Sequence, residues 1–235
     1  RPSAGLQIRD ENFETGNPPP SSGQVIINNI VIGCGSNFGV AVQASVVGGG
    51  LNGALVANNV FANARGDTMP GVANGVNNIE LASGASYVNS RFINNLILQS
   101  DPSGVILRVQ GSNPNFSTFT VANTLYSLAP SWFPGEPGRV VGNPQLAVTS
   151  PPVPAMGQFP NANDYRITYS SPALDGGQSL AEVTIDYTGQ PRAGSGLTDI
   201  GAFELPHTGR IIVVQESFPA GSTQAFDFTT GFSPA

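Results

Sequence analysis

Histidine occurs once, at His207, and cysteine once, at Cys34. A Ser-His-Asp triad needs an imidazole held against its nucleophile, and a histidine metal site needs several, so neither is expected. Cys34 lies between Gly33 and Gly35 with no histidine near it in the pattern, and it reads as a small packed residue rather than a nucleophile. The acids of the repeating region are Asp10, Glu11, Glu14, Asp67, Glu80 and Asp101, scattered over different register positions. Hydrolysis by paired carboxylates needs two of them on one face. Glu80 shares an outward position with Arg108, and an exposed salt bridge worth at most ~1 kcal/mol is the expectation there. The expected inventory is therefore no catalytic residue, no metal and no cofactor.

The elements that would position such residues are short and repeated. Ile27-Asn28-Asn29-Ile30-Val31 returns as Ala57-Asn58-Asn59-Val60-Phe61 and as Ile93-Asn94-Asn95-Leu96-Ile97, with a looser copy at Ala122-Asn123-Thr124-Leu125-Tyr126. Taking the second polar position as register, the spacings are 30, 36 and 29 residues. A second series, Leu6-Gln7-Ile8, Val40-Ala41-Val42, Ile79-Glu80-Leu81 and Leu107-Arg108-Val109, has spacings of 34, 39 and 28. Two independent series thus share a period near thirty, with the variation absorbed in loops such as 64–75.

Strands this short cannot bury their apolar residues alone, but stacked coils joined by main-chain bonds about 4.8 Å apart can. The pattern predicts Leu6, Ile8, Val40, Val42, Ile79, Leu81, Leu107 and Val109 pointing inward in layers, and Gln7, Ala41, Glu80 and Arg108 forming an outward column. The asparagines Asn28, Asn29, Asn58, Asn59, Asn94, Asn95 and Asn123 are expected to form a structural ladder, because an amide carries both donors and an acceptor. Asparagine also tolerates the left-handed backbone that a corner requires. Over roughly residues 5–145 the chain resembles the right-handed parallel β-helix families, the pectate-lyase-like group among them. The resemblance implies an all-β, single-stranded solenoid closed by an irregular capping module and a short β tail.

Composition agrees with many short strands. The chain holds 29 Gly and 20 Pro, only 10% charged residues, no lysine and a net charge of −6. Without a basic stripe, nucleic acid is not an expected partner. No stretch approaches the ~20 apolar residues that cross a bilayer. One cysteine excludes an internal disulfide and leaves the compartment open. Arg1 opens in mid-pattern, so the segment is expected to continue a longer chain.

Between Pro130 and Pro160 the sequence turns Pro-rich and is expected to wrap irregularly off the last coil, with Trp132 and Phe133 covering the end of the stack. Asp164-Tyr165-Arg166-Ile167 follows, then Ser171-Pro172-Ala173-Leu174-Asp175-Gly176-Gly177, Asp186, Gly189-Gln190-Pro191-Arg192 and Thr198-Asp199-Ile200-Gly201-Ala202-Phe203-Glu204. This ordered set resembles the choice-of-anchor Q domain of secreted bacterial proteins, over about residues 160–205. It implies an extracellular or cell-surface address. Pro172 and Pro191 would fix turns, and Asp175, Asp186, Arg192, Asp199 and Glu204 would form a structural polar network. Residues 206–235, with Arg210–Glu216 and a second run near 224–229, resemble the opening strands of a prealbumin-like or immunoglobulin-like repeat. The organisation expected is 1–145 coils, 146–205 anchor-associated module and 206–235 an incomplete β-sandwich. Leu205-Pro206-His207-Thr208-Gly209 matches the sortase pattern but runs into only four apolar residues, and it reads as an interdomain joint.

Function on this reading is that of a non-enzymatic surface scaffold, adhesive or glycan-binding, with glycans or extracellular matrix as partners and self-association as a further property. Tyr126, Trp132 and Phe133 are the candidates for stacking on sugar rings. A polysaccharide lyase or glycoside hydrolase is the alternative, since many share the fold, and a subunit of an extracellular filament or sheath is another.

Overall fold

The computed structural model describes residues 4–10, 19–42, 49–66, 76–82, 84–109, 114–155, 158–192 and 196–206. Glu11, Glu14, Asp67, His207 and the tail strands expected after Arg210 lie outside the described residues. The described residues up to Leu205 form one compact unit.

The chain makes four successive passes over the same ground. The first holds β1 (Ala4–Asp10), β2 (Ser21–Ser22), β3 (Val25–Ile27) and β4 (Ile30–Ile32). The second holds β5 (Ser36–Val42), β6 (Gly50–Asn52), β7 (Leu55–Ala57) and β8 (Val60–Ala62). The third holds β9 (Asn77–Leu81), β10 (Ser86–Val88), β11 (Ser90–Ile93) and β12 (Leu96–Leu98). The fourth holds β13 (Val105–Val109), β14 (Phe119–Ala122) and β15 (Leu125–Tyr126), and β16 (Val140–Val141) follows. Each strand pairs in parallel with its counterpart in the neighbouring pass, giving sheets ordered β1-β5-β9-β13, β10-β6-β2, β14-β11-β7-β3 and β16-β15-β12-β8-β4. The result is an all-β arrangement of parallel strands, compatible with a parallel β-helix.

Period-two alternation fills the interior. Phe38, Ile79 and Leu107 lie over one another by register, as do Val40, Leu81 and, in the last pass, Val109. Val56, Phe61, Phe92 and Ile97 complete the same buried cluster, and the rings of Phe38, Phe61 and Phe92 lie 5.6–6.3 Å apart. The register of the second pass differs from the one its sequence spacing suggests. Leu6 lies opposite Phe38 and Ile8 opposite Val40, and Val40 in turn lies opposite Leu81, so the second pass is shifted by two residues from the expected alignment of Leu6, Val40 and Ile79. A shift of two leaves every side chain on its own face, so sequence alternation cannot detect it. The column therefore runs Gln7, Gly39, Glu80, Arg108, and Ala41 lies opposite Arg9.

Strands β8, β12 and β15 are apolar on both faces, which marks strands covered on both sides. Phe61, Ile97 and Tyr126 point into the core, while Val60, Leu96 and Leu125 meet Ile200, Ala202, Phe203 and Leu205 on the other side. Leu55 and Ala57 likewise meet Leu180 and Val183. Residues 146–205 thus lie along a flank of the stack, where a cap over its end was expected. The reason is this second apolar face, about as apolar as the first. The segment has little regular structure: a 3-10 turn at Ala162–Tyr165 and the antiparallel pair β17 (Gly177–Gln178) and β18 (Leu197–Thr198).

Candidate functional site

The Asn-Asn pairs form the two-residue corners between β3 and β4, β7 and β8, and β11 and β12, and the two members do different work. Asn28, Asn58, Asn94 and Asn123 take the left-handed backbone, with φ of 54°, 52°, 57° and 50°. The second members make the main ladder, and among the first members Asn94 Nδ2 also reaches Asn58 Oδ1 at 3.3 Å. Asn29 donates from both its main-chain N and its Nδ2 to Asn59 Oδ1, at 2.9 and 3.0 Å. Asn59 does the same to Asn95 Oδ1, at 3.1 and 2.9 Å. The remaining amide protons of Asn59 and Asn95 go to the carbonyls of Ile26 and Val56, both at 2.9 Å.

Where the fourth pass carries Thr124, Glu136 takes over. Its Oε1 accepts the Thr124 N–H at 2.9 Å and its Oε2 accepts the Tyr126 hydroxyl at 2.9 Å. Burial pushes the Glu136 carboxyl above its ordinary range, against the hydrogen bonds from Tyr126 and Thr124 and the charge of Arg139. Sequence reasoning passes over Glu136 because it lies in the Pro-rich stretch outside the repeat. A second buried amide column, Asn37 Nδ2 to Asn78 Oδ1 at 2.9 Å, also escapes it, since the 41-residue spacing departs from the period.

The first members of the pairs face the flanking segment. Asn28 Nδ2 donates to the Ile185 carbonyl at 2.7 Å, Asn58 Nδ2 to the Asp199 carbonyl at 3.1 Å and Asn123 Nδ2 to the Gly176 carbonyl at 3.0 Å. Asn94 both donates to the Gln178 carbonyl at 2.8 Å and accepts the Gln178 N–H at 3.0 Å. Each corner amide thus reads the main chain of residues 176–199.

Behind these contacts lies a buried polar network. Arg192 pairs with Glu204 at 2.9 Å and donates further to the Gly201 carbonyl at 2.8 Å and to Asn28 Oδ1 at 3.1 Å. Glu204 Oε2 also accepts the Thr198 hydroxyl and the Asp199 N–H, at 2.8 and 3.0 Å. Asp199 accepts the N–H groups of Asp175 and Leu205, at 2.8 and 2.7 Å. Asp186 takes the N–H groups of Thr188, Gln190 and Glu204 and the Thr188 hydroxyl. Burial raises the Asp186 carboxyl, but these bonds outweigh it and the net shift is downward. Asp199 is shifted upward, burial prevailing over its two main-chain donors.

The other motif residues shape the turns. Ser171 Oγ bonds the Pro144 carbonyl and accepts the Ala173 N–H, so Pro172 opens a closed turn. Gly189 and Gly201 have φ of 87° and 101°, a backbone region that disfavours side chains. Pro191 forms an isolated antiparallel bridge with Ile185.

The aromatic candidates divide. Tyr126 is 0% exposed with its hydroxyl on Glu136, so no ring face remains for a sugar and its stacking role is withdrawn. Trp132 and Phe133 are half-buried and meet Phe116, at ring distances of 6.2 and 5.1 Å, in a cluster that also holds Tyr87 and Phe119. That cluster packs against the core, so these two rings are first of all part of its wall.

Among the carboxylates, Glu80 lies 3.8 Å from Arg108 and accepts from Asn77 Nδ2 at 3.1 Å. Among the described residues, no group of three His, Cys, Asp or Glu side chains could hold a metal ion, and no helix is long and apolar enough to cross a membrane. Burial raises the Cys34 thiol against the pull of Arg65, which disfavours the reactive thiolate. A cleft of about 480 Å³ lies where the corner residues Asn63, Arg65, Gln99 and Asp101 face Pro151 and Val153 of the Pro-rich strap.

No family model matches the chain, and no curated protein matches it in sequence.

Proposed function

We propose that this chain is a non-catalytic scaffold of a secreted or cell-surface protein, a right-handed single-stranded parallel β-helix with a choice-of-anchor Q-like module along its flank. The disposition of the acids supports this reading best. Asp186, Asp199 and Glu204 hold main-chain N–H groups and a buried guanidinium, and Glu136 ends a ladder. Those are tasks of holding a shape. A hydrolytic pair would instead face a groove together, within about 5–10 Å of each other.

Stacked amide columns suit a stiff rod. Each pass repeats its outward side chains about 4.8 Å from the last, which gives glycans, matrix or neighbouring cells a periodic face. The extracellular address follows from the resemblance of the motifs between Asp164 and Glu204 to anchor-associated modules.

The test is incubation of the protein with a panel of neutral and uronate-containing polysaccharides. No new reducing ends and no unsaturated products are expected. Cleavage that disappears when Glu80 or Asp101 is replaced by its amide would overturn the scaffold reading in favour of a polysaccharide-cleaving enzyme.

A further inference from the structure

We infer that the cleft between the corner residues of the second and third passes and the 150–153 strap binds a neutral saccharide through adjacent hydroxyls. The inference deepens the scaffold reading by giving it a ligand site. The volume of about 480 Å³ lies within the range of about 300–1,000 Å³ typical of small-molecule sites.

Asn63 is the central observation. It lines the cleft, is only 6% exposed, and takes the left-handed corner backbone with φ of 51°. Its Oδ1 accepts the Ser100 N–H at 2.9 Å, while its amide nitrogen has no partner among the described residues. Because the rest of the side chain is buried, this donor is offered to the cleft from a fixed position, where a water or a ligand hydroxyl can accept from it. Gln99, 3% exposed, is held beside it by the Ala64 carbonyl and by Ser127.

Two opposite charges flank this donor. Asp101 is exposed and oriented by Ser103, whose N–H and hydroxyl reach its Oδ1 at 2.9 and 2.7 Å. Arg65 is fixed across the cleft by bonds from its Nη2 to the Val153 and Pro154 carbonyls. An anion would be drawn by Arg65 and repelled by Asp101, and a cation the reverse. A neutral polyol satisfies both, donating a hydroxyl to the carboxylate and accepting from the guanidinium and from the Asn63 amide. The side chains of Val76 and Val153 give the C–H face of a sugar ring an apolar wall.

The test is a titration of the isotopically labelled full chain with maltose, cellobiose and mannobiose, with a galacturonate dimer and a glucosamine dimer as charged controls, followed by amide chemical shifts. At least one neutral disaccharide is expected to shift the amides of Ser100, Asp101 and Ser103. Asn63→Asp keeps the acceptor for Ser100 and the left-handed backbone but removes the donor, and it should weaken binding about tenfold. Asp101→Asn, on an exposed residue that leaves the corner intact, should do the same. Failure of every neutral disaccharide to move these amides, tighter binding of a charged dimer, or unchanged affinity in both variants would overturn the site. Shifts confined to the neighbourhood of Trp132 and Phe133 would overturn the cleft while leaving the scaffold reading standing. Polysaccharide cleavage would overturn the scaffold reading without touching these shifts.

Discussion

The main-chain N–H of Thr124 donates to Glu136 Oε1 at 2.9 Å, as the N–H of Asn59 donates to Asn95 Oδ1 at 3.1 Å. The amide column therefore ends on a carboxylate supplied twelve residues farther along, which substitutes for the asparagine that a further copy of the repeat would place there. An amide both donates and accepts, so it propagates a ladder. A carboxylate only accepts, so it stops one.

A pH dependence follows from that carboxylate. Burial raises the folded-state pKa of Glu136 above its ordinary value of 4.5. The stability tied to its protonated form is fully present below that value and is lost as pH rises through the folded value. Glu136→Gln keeps the acceptor for Thr124 and turns a donor toward the Tyr126 oxygen. In urea unfolding at a series of pH values, the wild type should lose stability across this window more steeply than Glu136→Gln. Parallel curves would show that Glu136 does not titrate there.

The ladder should be strongest in its interior. Asn59→Ala strips acceptors from Asn29 and donors from Ile26 and Asn95, inside a fully buried corner. With each unsatisfied buried group costing about 1–3 kcal/mol, a loss of roughly 3 kcal/mol is expected. Asn29→Ala keeps its main-chain bond to Asn59 and lies in a half-buried position, so about 1 kcal/mol should be lost. The midpoints of urea unfolding compare the two, and equal losses would contradict a continuous column.

Much of this was legible in the residues. The doubled asparagines mark their corners because only those positions repeat a polar pair between apolar triplets. Which member turns the backbone and which stacks was not legible, since the two are chemically identical. Register of the second pass against its two neighbours was hidden for a different reason: Phe38 and Val40 present the same face, so an offset of two residues leaves the pattern unchanged. The flanking position of residues 146–205 carried a signal in the fully apolar strands Val60–Ala62 and Leu96–Leu98, which have no polar face to give to water. Glu136 carried none, because a single acid among prolines looks like any solvated loop residue.

The corner amides should govern how firmly residues 176–199 are held. Asn94→Gly preserves the left-handed backbone and removes the paired bonds to Gln178 together with a longer one to Asn58 Oδ1, whereas Asn94→Ala also strains φ at 57°. Hydrogen exchange at the Gln178 amide should accelerate in both variants by a similar factor. Global stability should fall further in the alanine variant, by an additional ~1 kcal/mol. If exchange at Gln178 is unchanged in Asn94→Gly, the corner does not hold the module.

Arg192 tests whether the buried network is a unit. Its side chain and that of Glu204 are 2% and 3% exposed, so neither charge can be solvated if its partner is removed. Arg192→Met should therefore destabilise by about 3–5 kcal/mol, the usual penalty for stranding one member of a buried pair. Adding Glu204→Gln neutralises the stranded charge while keeping an acceptor for Thr198 and Asp199, and it should recover part of the loss. Asp186 contributes in the opposite pH sense to Glu136. Its folded pKa is depressed, so its stabilisation is present above the unfolded value and is lost as pH falls through the folded one. Thermal unfolding of the single and double variants at neutral and acid pH separates these effects. A double variant no more stable than Arg192→Met would mean that the guanidinium acts through packing rather than through its charge.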